Sequence, residues 1–227
     1  MTYFVSDVHG QYELFIKLLE KIGFSDKDEM YVLGDMIDKG KSSIRLLKYV
    51  MGKPNIHCIM GNHEHRLLYE YHSIMEDSPT DFTEVLTMLQ NHFAPEDDPL
   101  TFEVLDWLEC LPYYIEGEDF IAVHAGVPAD EENNLIDPAD ALPEQLIYDR
   151  AFKKQDYIPK SEKCVIFGHT PTVYICGKPI ILAYKKKGKA GKTIDDYYKI
   201  HIDTDTWESK VLGCLCKEKL TVTYVKG

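Results

Sequence analysis

The sequence lacks the features of a membrane protein, an exported protein and a polyanion-binding protein. Its 227 residues contain no apolar run that approaches the length of a membrane span. Residues 1–5 carry neither the basic nor the apolar region of a signal peptide, and an acidic residue follows at Asp7. Lys and Arg number 25 against 38 Asp and Glu, and the net charge of −13 repels nucleic acid and anionic lipid. We therefore expect a soluble cytoplasmic protein with no nucleic-acid partner and no membrane partner.

Paired cysteines are lacking as well. The six cysteines are scattered, with no C-x-x-C pair and no spacing typical of a zinc knuckle. Most of them lie in apolar runs, where a free thiol behaves as a small hydrophobic side chain. The distribution predicts reduced, structural cysteines.

The chain does have the apolar content and the patterning of one α/β domain. Apolar residues make up 44% of the sequence, enough for a sizeable core. Strand-length apolar runs alternate with helical patterns in the first half, which indicates an α/β fold. Helices are predicted at 11–22, 42–51, 81–93 and 101–110, with a break at 94–99 between the last two. Further strands are predicted at 172–176, 179–184, 197–203, 210–216 and 220–225.

Side chains of the types that bind metals follow five of the apolar runs. The runs are 3–5, 31–33, 56–60, 120–123 and 164–167. The candidate ligands that follow them are Asp7, His9, Asp35, Asn62, His124 and His169. Because ligands of α/β sheets bind at the carboxyl ends of strands, we expect these five strand ends to face one pocket.

The six candidate ligands divide into two metal sites that share Asp35. The first site takes Asp7, His9 and Asp35, and the second takes Asp35, Asn62, His124 and His169. A bridging carboxylate holds two ions ~3.5–4 Å apart, the separation used for in-line displacement at phosphorus. The mixed oxygen and nitrogen set suits Mn²⁺, Fe or Zn²⁺ better than Ca²⁺. The sequence thus predicts two divalent ions, with Mn²⁺ favoured.

Five short motifs resemble the signature blocks of the calcineurin-like metallophosphoesterases. They are Ser6-Asp7-Val8-His9-Gly10, Gly34-Asp35-Met36-Ile37-Asp38-Lys39-Gly40, Gly61-Asn62-His63-Glu64, Val123-His124-Ala125-Gly126 and Phe167-Gly168-His169-Thr170-Pro171. The resemblance is to the serine/threonine protein phosphatase branch, in its compact bacterial and phage form. It implies an α/β/β/α sandwich of two mixed sheets flanked by helices. The whole of 1–227 would form a single domain, with a small helical insertion at about 65–111.

The resemblance also implies a role for each site residue. The family's metal ligands fall on the six candidates above, and its general acid falls on His63, held by Asp38. One of its two phosphate-gripping arginines matches Arg150, but the position of the other is Lys39. Because lysine offers a point charge where arginine offers a planar fork, we expect phosphate binding to be weaker or differently selective.

The sequence favours a metal-dependent phosphomonoester hydrolase. Hydroxide held between two ions would attack phosphorus in line, and the substrate would be a phosphorylated protein or peptide, with serine/threonine or dual specificity. One alternative is a symmetrical dinucleoside tetraphosphate hydrolase, since similar enzymes share all five blocks and fifteen tyrosines could stack on adenine. A second alternative is a non-catalytic scaffold, against which stands the complete set of ligands together with His63.

Overall fold

The chain forms ten strands and eight helices within the described residues, which in this computed structural model are 1–77, 81–94 and 97–227. The strands are β1 (Thr2–Val5), β2 (Glu29–Val32), β3 (Ile56–Cys58), β4 (Tyr114–Glu116), β5 (Phe120–Val123), β6 (Cys164–Phe167), β7 (Leu182–Lys185), β8 (Tyr197–His201), β9 (Val211–Cys216) and β10 (Thr221–Lys226). The helices are α1 (Tyr12–Ile22), α2 (Ser43–Met51), α3 (Asn62–Asp77), α4 (Phe82–Phe93), α5 (Phe102–Glu109), α6 (Pro143–Tyr148), α7 (Val173–Cys176) and α8 (Thr206–Ser209).

The strands form two mixed sheets of five strands each. The first has the order β10-β9-β1-β2-β3, in which β1, β2 and β3 are parallel and β9 and β10 are antiparallel. The second has the order β4-β5-β6-β8-β7, in which β5, β6 and β8 are parallel. Because neighbouring parallel strands end at the same edge, the loops after β1, β2 and β3 lie together, and so do those after β5 and β6.

The two sheets pack face to face, and each has a second core on its outer face. In β1, Tyr3 and Val5 face the core under helices α1 to α5, whereas Phe4 faces the second sheet. The Phe4 ring meets Phe120 of β5 edge-on, with 4.9 Å between centroids. The outer core of the second sheet includes Leu146 of α6. Burying one such large apolar side chain contributes about 1.5–3 kcal/mol.

The α/β/β/α sandwich expected from the sequence is confirmed, with two local differences. Residues 173–176 form a helix that ends at the left-handed Gly177, so the strand predicted at 172–176 is wrong. The periodicity of such a short apolar run does not distinguish a helix from a strand. Helix α3 was not predicted and begins at Asn62, ahead of the expected insertion at 65–111.

Two further points concern the helical region. Of the break predicted at 94–99, Pro95 and Glu96 lie outside the described residues. Within the part of the chain that the structure describes, no helix combines the length and apolar character needed to cross a membrane.

Candidate metal centre

The loops after five parallel strands bring the predicted ligands to one place between the two sheets. Asp7 and His9 follow β1, Asp35 follows β2, and Asn62 is the first residue of α3 after β3. On the second sheet, His124 directly follows β5 and His169 follows β6. Asp7, His9, Asp35 and His124 are buried, and Asn62 and His169 are partly buried.

One group of ligand atoms gathers around His9 and Asp35, with the imidazole of His63 beside them. Each imidazole places its Nε2 atom 3.7 Å from Oδ2 of Asp35. The sequence predicts Asp7 as a further ligand of this group. Oδ2 of the Asp7 carboxylate accepts a hydrogen bond from the backbone N–H of His169 at 3.1 Å. Nε2 of His9 also lies 2.8 Å from Nζ of Lys39.

A second group gathers around Asp35, His124 and His169, with Asn62 beside them. Nε2 of His124 lies 3.4 Å from Oδ1 of Asp35 and 3.2 Å from Nδ1 of His169. Oδ1 of Asn62 is 2.9 Å from the His124 nitrogen and 2.8 Å from the His169 nitrogen. The two groups therefore share Asp35, one carboxylate oxygen facing each.

Backbone carbonyls fix the tautomers of two of these histidines. Nδ1 of His9 is 2.9 Å from the carbonyl oxygen of Ile37, and Nδ1 of His124 is 2.7 Å from that of Leu33. Since a carbonyl only accepts, both Nδ1 atoms must carry the proton, and both Nε2 atoms present a lone pair to Asp35. Orientation of this kind by the second ring nitrogen is typical of histidine metal ligands.

The electrostatics of the centre favour a cation. Burial, together with the Lys39 ammonium, lowers the pKa of His9 to about 3. Burial and the neighbouring His124 lower the pKa of His169 to about 3 as well. Burial also raises the pKa of Asp35 well above its usual range. Neutral imidazoles around a desolvated carboxylate form a donor set that fits divalent metal ions, which would restore the charge balance of Asp35.

Glu64 holds the ligand loops, a role that the sequence analysis did not assign. Its carboxylate is fully buried and accepts four backbone N–H groups. Oε1 accepts from Met36 at 2.7 Å and Ile37 at 3.1 Å, and Oε2 accepts from Asp35 at 2.8 Å and Gly61 at 3.0 Å. One side chain thus fixes the loops after β2 and β3. The motif Gly61-Asn62-His63-Glu64 contained this residue, but nothing in its type or spacing indicated the role.

Several site residues adopt backbone conformations that are rare outside glycine. The residues with φ in the left-handed region are Asp7 (52°), His9 (46°), Asp35 (52°), Asp38 (69°), Lys39 (63°) and His169 (70°). Such residues persist where the surrounding structure over-determines them, and they cluster at functional sites. Gly61 allows the close approach: a Cβ atom there would overlap the backbone nitrogen and Oδ1 of Asp35.

His63 and Asp38 form the pair predicted for proton donation. Nδ1 of His63 donates to Oδ2 of Asp38 at 2.7 Å, which leaves Nε2 facing the ligand groups. Burial opposes protonation of His63, but the bond to Asp38 and the charge of Asp35 outweigh it and raise the pKa of the imidazole. Arg66 is a further member of this pair that the sequence analysis missed. Its Nη2 donates to the same Asp38 oxygen at 2.6 Å. A predicted helix at α3 would have indicated the role of Arg66, since Arg66 lies one helical turn after His63.

The predicted phosphate-binding residues lie on opposite sides of the centre. Arg150 is exposed after α6, and its charge helps to lower the pKa of His169. The following segment is fastened to β8 by the buried Lys199. The Lys199 ammonium donates to three backbone carbonyls, those of Phe152 (2.6 Å), Lys154 (2.7 Å) and Tyr157 (2.6 Å). Lys39 is the cation on the other side, against His9.

Comparison with known proteins identifies the family. The sequence matches the profile of the calcineurin-like phosphoesterases over residues 2–196. The chain belongs to this family. Calcineurin-like phosphoesterases are metal-dependent hydrolases of phosphoester bonds, which agrees with the two groups of His and Asp ligands.

Among curated calcineurin-like phosphoesterases, the chain is similar to symmetrical bis(5'-nucleosyl)-tetraphosphatases. The protein of Buchnera aphidicola subsp. Acyrthosiphon pisum (strain 5A) is 32% identical over 139 residues, 59% of this chain and 47% of that protein. The protein of Salmonella paratyphi C (strain RKS4594) is 35% identical over 130 residues, 56% of this chain and 43% of that protein. The chain thus spans about half the length of these relatives.

Solved structures share the fold at lower sequence identity. A protein assigned as a diadenosine tetraphosphatase has a TM-score of 0.68 and 16% identity, covering 100% of this chain and 93% of that chain. A serine/threonine phosphatase of Saccharomyces cerevisiae has a TM-score of 0.60 and 15% identity, covering 100% and 79%. At these identities the likeness establishes the calcineurin-like fold and does not distinguish the branches of the family.

Proposed function

We propose that the chain is a two-metal hydrolase that cleaves dinucleoside polyphosphates, with a symmetrical dinucleoside tetraphosphate as its preferred substrate. The observation that carries the hydrolytic part is the sharing of Asp35 by two groups of ligand atoms. Two divalent ions held by these residues would neutralise charge on the phosphoryl oxygens and lower the pKa of a bound water. Mn²⁺ suits the donor set of carboxylate, amide and imidazole.

The residues around the ions perform the remaining steps. His63 gives its Nε2 proton to the leaving oxygen, and Asp38 orients the ring through Nδ1 and favours its protonated form. Arg150 binds the non-bridging oxygens of the attacked phosphoryl group from the side of His169. Lys39, whose Nζ lies 2.8 Å from Nε2 of His9, would offer its ammonium to the phosphoryl oxygens from the side of His9.

The curated relatives favour the second of the two substrates left open by the sequence. The structure of the serine/threonine phosphatase, at 15% identity, shares the fold and carries no argument about the substrate. The dinucleoside tetraphosphate is named for curated relatives at 32–35% identity. We therefore place the dinucleotide ahead of a serine/threonine phosphoprotein, and we do not assign the chain to the protein phosphatase branch.

A parallel assay tests this proposal. The purified protein, loaded with Mn²⁺, is offered diadenosine tetraphosphate, phosphoserine, phosphothreonine and phosphotyrosine peptides, and an aryl phosphate. We expect the highest kcat/KM for the tetraphosphate, with ADP as the sole nucleotide product because cleavage is symmetrical. A higher kcat/KM for a phosphopeptide would reject the substrate proposal, and no hydrolysis of any of these compounds would reject the hydrolytic proposal.

A further inference from the structure

A cleft of about 270 Å³ opens beside the proposed metal centre. Its walls are the turn at residues 38–41 and the end of helix α4 at residues 92–94. Lys39 belongs to both places, because it lines the cleft while its Nζ contacts Nε2 of His9. Asp38, which orients His63, also lines the cleft. The cleft is therefore continuous with the side of the centre from which a leaving group departs.

The cleft is basic, although the protein as a whole carries a net charge of −13. Lys39 and Lys41 line it with exposed side chains. The guanidinium of Arg66 lies 5.1 Å over the ring of Phe93, another lining residue, and remains about half exposed. Among the described lining residues the carboxylate is Asp38, which already accepts from both His63 and Arg66. These described residues therefore place Lys39, Lys41 and the Arg66 guanidinium around the cleft.

The two candidate substrates differ most in the leaving group. Hydrolysis of a phosphoserine or phosphothreonine peptide releases a hydroxyl group that carries no phosphate for neighbouring cations to bind. Symmetrical hydrolysis of a dinucleoside tetraphosphate releases a nucleoside diphosphate, whose phosphates directly adjoin the broken bond. At about 270 Å³ the cleft is smaller than most ligand pockets, which span ~300–1,000 Å³, so it suits part of a ligand such as a phosphate chain.

We propose that this cleft binds the phosphates of the leaving nucleoside diphosphate, with Lys41 and Arg66 as the residues that select a polyanionic leaving group. Arg66 supplies the planar donor fork that Lys39 lacks, and its contacts with Asp38 and Phe93 hold the fork in position. The proposal rests on the proposed function in that it names the leaving group of the same reaction.

Product inhibition tests the cleft without relying on hydrolysis of the dinucleotide. Hydrolysis of an aryl phosphate is measured with ADP or inorganic phosphate as inhibitor, with free Mn²⁺ kept in excess. Lys41→Gln and Arg66→Gln should each raise the Ki for ADP about tenfold, the loss expected for one charge-assisted contact. The Ki for inorganic phosphate should rise less than twofold. The two variants are measured side by side, because Arg66 also contacts Asp38.

The matched control is Arg45→Gln. Arg45 is an exposed arginine outside the cleft, bonded to Glu13 at 3.0 Å, and its loss should leave both Ki values unchanged. As a second readout, the ratio of kcat/KM for diadenosine tetraphosphate to that for the aryl phosphate should fall about tenfold in both cleft variants. Circular dichroism and thermal melting establish that the variants are folded.

The possible outcomes distinguish a failure of the cleft proposal from a failure of the proposed substrate. If ADP does not inhibit the parent protein, or if both variants keep its Ki within twofold, the cleft proposal is overturned even when the tetraphosphate is cleaved. If ADP binding weakens in the variants while the parent protein leaves the tetraphosphate intact, the cleft stands and the proposed substrate fails.

Discussion

Replacement of Glu64 by glutamine tests how the ligand loops are held. The carboxylate accepts two backbone N–H groups at each oxygen, from Met36 and Ile37 on one side and from Asp35 and Gly61 on the other. Glutamine has one oxygen and one amide nitrogen, so in either orientation two buried N–H groups lose their acceptor. An unsatisfied buried donor costs about 1–3 kcal/mol, which gives roughly 2–6 kcal/mol for the pair.

One effect opposes this loss. Removal of the negative charge of Glu64 relieves its repulsion of Asp35. That repulsion is a minor cause of the raised Asp35 pKa: burial raises the pKa most, the charge of His63 lowers it, and the charge of Asp7 raises it more than that of Glu64 does. The lost hydrogen bonds therefore dominate, and we expect Glu64→Gln to lower the free energy of unfolding by about 3 kcal/mol, a factor of roughly 150 in the unfolding equilibrium.

The measurement is urea unfolding of the metal-free protein, so that metal binding does not contribute to the difference. Mn²⁺ titration of the folded variant should in addition show weaker binding, because in either orientation the loop after β2 loses part of its anchor. Glu13→Gln is the control, since Glu13 is an exposed partner of Arg45 and its loss should change stability by less than about 0.5 kcal/mol. If Glu64→Gln changes the free energy of unfolding by less than about 1 kcal/mol and leaves Mn²⁺ binding unaltered, Glu64 does not hold the ligand loops.

Three other substitutions test separate parts of the site. Asp35→Asn removes the shared carboxylate, so the number of Mn²⁺ ions bound per chain by calorimetry should fall toward zero; retention of both ions would contradict the shared ligand. His63→Asn should slow hydrolysis of substrates with poor leaving groups about 10²–10⁴-fold at unchanged metal content, and unimpaired turnover would remove His63 from the acid role. Lys199→Met frees three loop carbonyls. Amide exchange over residues 150–157 should accelerate and kcat/KM should fall about tenfold, whereas an unchanged exchange pattern would argue against a fastening role.

The sequence predicted the frame of the site well because apolar runs and ligand types coincide there. Strands β1, β5 and β6 are buried on both faces and read as continuous apolar runs, each followed at once by a polar loop. Helix α3 escaped prediction for the opposite reason. It begins with the site residues Asn62 and His63, and its buried face consists of little more than Glu64, Leu67 and Leu68.

The contacts within the site could not be predicted, because they depend on how distant loops meet. The left-handed conformations at Asp7 and Asp35 have no local signal in residues that are neither glycine nor asparagine. The contact of Lys39 with His9 joins residues 30 positions apart. The position of His63 beside the first ligand group likewise follows from the direction in which α3 leaves Gly61.

The unequal origin of the two ligand groups has a mechanical consequence. His9, Asp35 and the neighbouring acid His63 all follow strands of the first sheet, whereas the group of Asp35, His124 and His169 draws on both sheets. An ion in the second group would link the two sheets of the sandwich, whereas an ion in the first group would link loops of the first sheet only. Removal of the ion from the second group by a chelator would leave the two sheets joined by the apolar interface around Phe4. That interface would then be the first part of the structure to open on heating.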